Sequence, residues 1–507
     1  MGGMAPGFHY MRFSSTLPAV RATLARWASG ARDTPARRAA PLLALLFGGY
    51  LYGSSSYEGL WYDAQGYWEL ANQFWAPGHF NFFAFESILR GYLFPLLLSP
   101  LTLVTAYWGW PPIDLTRGVG VVTATALFGV VAPGLWRALQ PPGAPTVPGV
   151  RRLVFGLLGF VCWRDYFNFS LTDFPALLAL LALLAGLWLL LRGRSVSSGL
   201  LAGLAVAAAA NFRPVYAAAL PLAACLSLWP QAAVGTGPPR RVLAWGRRLA
   251  FLAGIGAVLY PQLRVNQMHY GVSSPLVLTA KPEEPNLYLS QLRGGFLFQK
   301  YETNVGSDYP RPQMFFDDRA GDALLNQAEL LHFDSYATYF KGILSHPLPT
   351  AALLLRHLFN GLDVQYPTPY PQQVYVKTWP LALVNYTALI TGLGVLIGLG
   401  WQRPKLAHGP ALLVVLSILG PCAAALPAMM ECRFLMPLHL LLCAAAAFSF
   451  RPRRLWQAAS WAKRSAALAL YTALLVGCFA VSMQTQLQLK FNPRTLFDWQ
   501  QPPPVPW

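Results

Sequence analysis

Between Ser56 and Pro95 the chain sets Glu58, Asp63, Glu69, Glu86 and Arg90 among closely spaced aromatic rings. Carboxylates held between apolar surface and a guanidinium are suited to taking or keeping a proton. We read this stretch as a catalytic loop with Asp63 at its centre. Other charged residues stand at the edges of apolar runs. Asp173 heads one such run, where an ionised group is costly enough to imply a function. It could orient a reacting group, pair with an arginine, or cap the helix. Glu431 stands two residues before Arg433, Arg213 directly before Pro214, and Arg356-His357 falls in a Pro349–Phe359 stretch that reads as a helix. Glu58 and Glu86 are supporting candidates, and His79 reads as a solvated loop residue. The plainer alternatives are an Asp63 that caps its own helix and arginines that anchor to lipid headgroups by snorkelling.

The elements that hold these residues follow from period and composition. Asp63–Trp75 has helical spacing, with Tyr67, Trp68, Ala71, Phe74 and Trp75 on one side and Gln65, Glu69 and Asn72 on the other. A short amphipathic helix with aromatic anchors lies in the membrane interface rather than across it, which puts Asp63 where lipid meets water. Of 507 residues, 55% are hydrophobic and 11% charged, against ~25% charged in an ordinary soluble domain. Uncharged runs such as Ala176–Leu191 and Ala466–Val481 are long enough, with their flanks, for a hydrocarbon core of ~30 Å. The expected fold is an all-α polytopic membrane protein with about eleven transmembrane helices, between about ten and thirteen.

Charge then sets the orientation. Gly91–Trp110 is apolar enough to cross, but we read it as interfacial or re-entrant and place the N-terminus in the cytoplasm. The cytoplasmic segments then collect Arg151/Arg152, Arg192/Arg194, Arg240/Arg241/Arg247/Arg248, Arg403/Lys405 and Arg451/Arg453/Arg454 with a single acid, Asp33, as the positive-inside rule requires. Counting Gly91–Trp110 as a span moves the first three clusters outside. The net charge of +18 is thus a signal of membrane orientation, and no nucleic-acid partner is expected. The six cysteines form no C-x-x-C pair and read as small core residues. Residues 1–40 form a basic cytoplasmic tail, a reading preferred over a transit peptide. Residues 41–263 form an N-terminal transmembrane module whose first outer loop, 54–116, is the catalytic one. Residues 264–378 are a long outer loop, functional or a small domain at that length. Residues 379–483 are the C-terminal transmembrane helices and 484–507 an outer tail. No internal repeat is visible, which weighs against an inverted-repeat transporter.

Four stretches resemble a known family. Asp63-Ala64-Gln65-Gly66-Tyr67, with Leu70-Ala71 and then Arg90-Gly91-Tyr92-Leu93-Phe94-Pro95, resembles the first outer loop of the GT-C membrane glycosyltransferases, nearest the bacterial branch related to protein O-mannosyltransferases and the lipid A aminoarabinose transferase. Leu171-Thr172-Asp173-Phe174-Pro175 is similar to the acidic second outer loop of that family. Asn211-Phe212-Arg213-Pro214 is similar to its Arg-Pro turn, and Glu431-Cys432-Arg433-Phe434-Leu435-Met436-Pro437 to the Glu-Arg-Tyr-x-x-Pro entry to a late span. Asp63 is followed by Ala64, where the protein-mannosylating branch often carries a second acid; this departure weighs against protein as the acceptor.

The resemblance implies a GT-C fold, with interfacial helices in the first outer loop and a long outer loop before the late spans. It implies transfer of a sugar from a polyprenyl-phosphate donor to a hydroxyl or amine of a glycan, lipid or protein, on the outer face of a bacterial inner membrane. Asp63 would be the general base, with Asp173 beside it. Arg90, Arg213, Arg433 and Arg356 would bind the donor phosphate, their planar forks matching paired oxygens. Glu86, Glu431, Tyr67 and Glu58 would support them. No cofactor is expected. Asp63, Asp173 and Glu431 could together hold a divalent ion, but no D-x-D pattern accompanies them, and the metal-independent reading is preferred. The rival classes are a lipid-linked-sugar flippase or other transporter, which wants ionisable residues near the bilayer midplane, and a polysaccharide polymerase or ligase on another fold.

Overall fold

Four helices are, among the described residues, long and apolar enough to cross a bilayer: Pro112–Ala138, Trp379–Gly400, Cys432–Ser449 and Trp461–Gln486. Shorter apolar helices accompany them, including Leu93–Trp108, Asp173–Trp188 and Gly199–Phe212. The chain is largely helical, as the composition requires. The computed structural model describes residues 34–491 apart from 141–144, 193–195, 230–240, 281–285, 310, 328–334, 375, 403–408, 453–456 and 458–459. Most of the 1–40 tail and of the 484–507 tail, and the basic residues Arg194, Arg240, Arg403, Lys405, Arg453 and Arg454, lie outside the described residues.

In chain order the helices are α1 (Thr34–Gly53), α2 (Tyr62–Gln73), α3 (Leu93–Trp108), α4 (Pro112–Ala138), α5 (Gly149–Trp163), α6 (Asp173–Arg192), α7 (Val196–Phe212), α8 (Ala219–Leu228) and α9 (Arg241–Tyr270). The stretch expected to be interfacial or re-entrant is α3. Its 16 residues give ~24 Å at 1.5 Å per residue, short of the hydrocarbon core. It ends at Gly109 in the left-handed conformation, with Tyr107, Trp108 and Trp110 exposed in the manner of an interfacial aromatic belt. α4 widens into a π-turn over Thr125–Val131. Pro133 has no N–H for the Gly129 carbonyl, and Arg152 Nη1 donates to that carbonyl instead, at 2.8 Å.

α7 lies along α9 through small residues. A methyl group on Gly203 would overlap the Phe251 carbonyl, and one on Gly254 the Leu200 carbonyl. In a bilayer such close backbone contact replaces the hydrophobic effect as the source of helix pairing. Gly203→Val should therefore cost about 1–3 kcal/mol by overpacking, read as a lowered thermal unfolding midpoint in detergent. An unchanged midpoint would show that these two helices part without penalty.

The long loop after α9 is a small unit. It comprises α10 (Leu287–Leu297), an antiparallel hairpin of β1 (Phe298–Thr303) and β2 (Gln313–Asp317), then α11 (Arg319–Gln327), α12 (Tyr336–Ser345) and α13 (Pro347–Leu362). Leu292, Phe296, Leu324, Leu325, Tyr339 and Leu353 form its core. The hairpin departs from the all-helical expectation. Phe298, Lys300 and Glu302 point inward and alternate with less buried residues, so two of the three buried positions of β1 are charged. Lys300 Nζ lies 3.1 Å from Glu302 Oε1 and donates to the Asp363 carbonyl at 2.9 Å. The chain closes with α14 (Trp379–Gln402), α15 (Pro410–Ala425), α16 (Met436–Ser449) and α17 (Trp461–Phe491).

Candidate active site

α2 forms because its apolar residues recur at helical spacing. Ala64, Tyr67, Trp68 and Ala71 are buried, while Gln65, Glu69 and Asn72 face outward. The helix starts under strain: Tyr62 holds φ at +43°, a left-handed conformation costly for an aromatic residue. No side chain caps its N-terminus, so the capping role is not what Asp63 does. Its carboxylate turns to two arginines, accepting from Arg90 Nη2 at 2.7 Å and from Arg433 Nη2 at 3.3 Å.

The surrounding elements hold α2 against the start of α6. Ser170 Oγ donates to the Ala64 carbonyl at 2.8 Å, and the Tyr67 hydroxyl lies 3.3 Å from Thr172 Oγ1. Arg117 donates to the Tyr57 carbonyl at 2.6 Å and to Asn168 Oδ1 at 3.0 Å, tying the first loop to the turn before Asp173. Arg90 is placed by its successors. Gly91 packs on Asn211 so closely that a Cβ would clash with it. Asn211 Oδ1 accepts from the Leu93 amide at 2.9 Å, and Asn211 Nδ2 donates to Gln262 on α9 at 2.9 Å. The Arg90 guanidinium then sits 5.5 Å from the centre of the Tyr67 ring.

Asp173, only 1% exposed, pairs with Arg213 and lies 3.8 Å from Arg433 Nη1. Glu431, equally buried, lies 2.8 Å from Arg433 Nε, an ion pair whose angle misses a hydrogen bond. Both guanidiniums also rest near the Phe434 ring, Arg213 at 5.1 Å and Arg433 at 6.0 Å. The structure thus gathers Asp63, Asp173 and Glu431 with Arg90, Arg213 and Arg433, and Tyr67 beneath them. Arg433 is the hub and meets all three acids. Among the three carboxylates Asp63 has solvent access, with its side chain 33% exposed.

No family model, curated protein or solved structure matches the chain. The functional reading therefore stands on this geometry and its chemistry.

Three candidates from the sequence are not brought to the cluster. Arg356 closes its fork on Asp318, at 2.7 and 3.0 Å, which ties α13 to the hairpin within the long-loop unit. Glu86 is exposed, with Oε2 4.0 Å from His269 Nδ1, and Glu58 is exposed on the first loop. No group of three or more His, Cys, Asp or Glu side chains among the described residues is arranged to hold a metal ion. The cation between Asp63, Asp173 and Glu431 is the Arg433 guanidinium.

Two tyrosines join the cluster that the sequence did not single out. Tyr301, on the less buried face of β1, lies close enough to feel the Glu431, Arg433 and Asp63 charges. Its amide donates to the Met430 carbonyl at 2.8 Å. Tyr370 packs its ring 5.9 Å from Tyr62, and its buried hydroxyl has no regular hydrogen-bond partner. Burial pushes both phenols above their usual range, so they stay protonated donors. Their only sequence trace is aromatic density, which is high throughout this chain.

Burial pushes the Asp63 carboxyl up, but Arg433 and Arg90 more than offset it and hold it below its ordinary 3.8. Asp63 is thus ionised throughout the neutral range. Removing one of the two cations must raise its proton affinity. Arg90→Gln should move the Asp63 titration to higher pH, followed as the carboxylate infrared band that is absent in Asp63→Asn. A titration left in place would show that Arg90 does not act on Asp63.

Proposed function

We propose that the chain is a membrane glycosyltransferase, moving a sugar from a polyprenyl-phosphate-linked donor to a hydroxyl or amine of an envelope glycan, lipid or protein. The observation that carries this reading is the cluster itself: one partly exposed carboxylate and three arginines, drawn from separate segments of the chain, at one end of the apolar helices. In the proposed step the acceptor oxygen or nitrogen attacks the anomeric carbon, the carbon–oxygen bond to phosphate breaks, and Asp63 takes the acceptor's proton. The electron pair leaves with the phosphate, whose charge the guanidiniums receive. Phosphate needs no protonation to depart, so a second acid of the glycosidase kind is dispensable. Attack opposite the leaving group inverts the anomeric centre.

Charge supports the same assignment. Three carboxylates against three guanidiniums leave the empty site neutral. An incoming lipid phosphate competes with Asp63 for Arg90 and Arg433, which frees Asp63 and makes it a stronger base when the acceptor needs one. Asp173 and Glu431 keep the arginines in place. The finer topology belongs to this proposal too: a GT-C arrangement of about eleven spans, in a bacterial inner membrane with the cluster facing the periplasm. The test is incubation of the purified chain in nanodiscs with polyprenyl-phosphate sugars, beside mass analysis of envelope glycans from cells with and without it. Transfer and a missing sugar support the reading. An unchanged glycan profile with no transfer sinks it.

A further inference from the structure

An apolar cavity of about 310 Å³ lies in the helix bundle, apart from the charged cluster. Interiors leave few voids larger than a water molecule, and a cavity walled by hydrocarbon stays dry because water finds no partners there. Among the described residues the lining is buried at one end and exposed at the other. Leu177 and Pro437, each four residues from Asp173 or Arg433, are buried, as is Leu440. At the opposite end Gly400 and Leu412 are exposed and Leu139 is half-buried. These three stand at the ends of α14, α15 and α4 remote from the cluster.

That mouth carries positive charge. Trp136 and Phe155 of the wall pack on the Phe448 ring at 5.7 and 5.0 Å. Arg151 donates to the Phe448 carbonyl and, at 3.2 Å, to the Phe450 carbonyl, which brings it beside exposed Arg451. Exposed Arg137 directly follows Trp136. No Asp or Glu occurs from Trp136 to Arg164 or from Cys432 to Phe491. Arg152 is excluded from this rim, being buried and donating to the Val147 and Gly129 carbonyls.

We propose that this cavity is a site for a resident anionic phospholipid. One hydrocarbon chain enters between Leu139, Gly400 and Leu412, and the phosphate rests on Arg137, Arg151 and Arg451. Such a site stands whether or not the charged cluster transfers sugars. A chain that leaves bilayer for protein gains little from the hydrophobic effect; the filled void adds dispersion contacts, and the basic rim selects the headgroup.

The test is native mass spectrometry of the full chain released from nanodiscs of phosphatidylglycerol or of phosphatidylcholine. The expected result is one phosphatidylglycerol retained per chain and no phosphatidylcholine. Ala444→Phe, which fills the cavity, should abolish retention. Should that variant fail to fold, Arg137→Glu with Arg451→Glu leaves the cavity intact and should lower phosphatidylglycerol retention about tenfold. The proposal is overturned if wild type retains neither lipid or both alike, if a folded Ala444→Phe chain still retains phosphatidylglycerol, or if the charge-reversed variant retains phosphatidylglycerol as wild type does.

Discussion

Asp63→Asn should lower glycosyl transfer by about 10²–10⁴-fold, the usual worth of a positioned general base, while the chain keeps its fold. The substitution preserves size and shape and removes the charge that, in the proposed step, would accept the proton. Folding survives because each arginine partner has other support. Arg433 keeps Glu431 and Asp173, and Arg90 is about one-third exposed, able to turn to water. Initial rates with a polyprenyl-phosphate sugar, set beside the thermal midpoint of each protein, separate chemistry from folding. Undiminished transfer would remove Asp63 from its assigned role. Loss of rate together with a collapsed midpoint would make Asp63 a structural residue instead.

Arg433→Met should cost about 3–5 kcal/mol of stability, the penalty for stripping one partner from buried charges. Its guanidinium meets Glu431 and Asp173, both 1% exposed, and Asp63 as well. Methionine fills much of the volume and supplies no charge, so Glu431 loses the Arg433 cation and Asp173 keeps, among the described residues, only Arg213. Adding Glu431→Gln to Arg433→Met should recover part of the loss, and the coupling in that double-mutant cycle measures the pair. The measurement is thermal or denaturant unfolding in detergent micelles. An Arg433→Met chain as stable as wild type would show that these carboxylates find water or one another without the hub.

Much of this architecture is legible in residue types and spacing, because burial in lipid imposes local rules. The helix expected over Asp63–Trp75 forms at Tyr62–Gln73, since apolar residues at helical period must share a face. The apolar runs become helices for a related reason: in hydrocarbon each backbone amide must be bonded within its own segment. Asp173 stands out by cost alone, as an acid at the mouth of an uncharged run. Such signals lie within a few turns of chain, where hydropathy and period act.

Tertiary packing decides the partners. Asp63 and Arg433 are 370 residues apart in the chain; Glu431 marks Arg433 locally, but no local signal brings Asp63 and Asp173 to that arginine or sends Arg356 to Asp318. One became the hub of three acids and the other closed on Asp318. The hairpin leaves no hydropathy signal because Lys300 and Glu302 fill buried positions and neutralise each other there, which hides the alternation that marks a strand. Tyr301, carried on its other face, reaches Glu431 only because that hairpin folds back against Met430. Charge balance in a low-dielectric site is a property of all the groups that meet there, and the meeting is made by the fold.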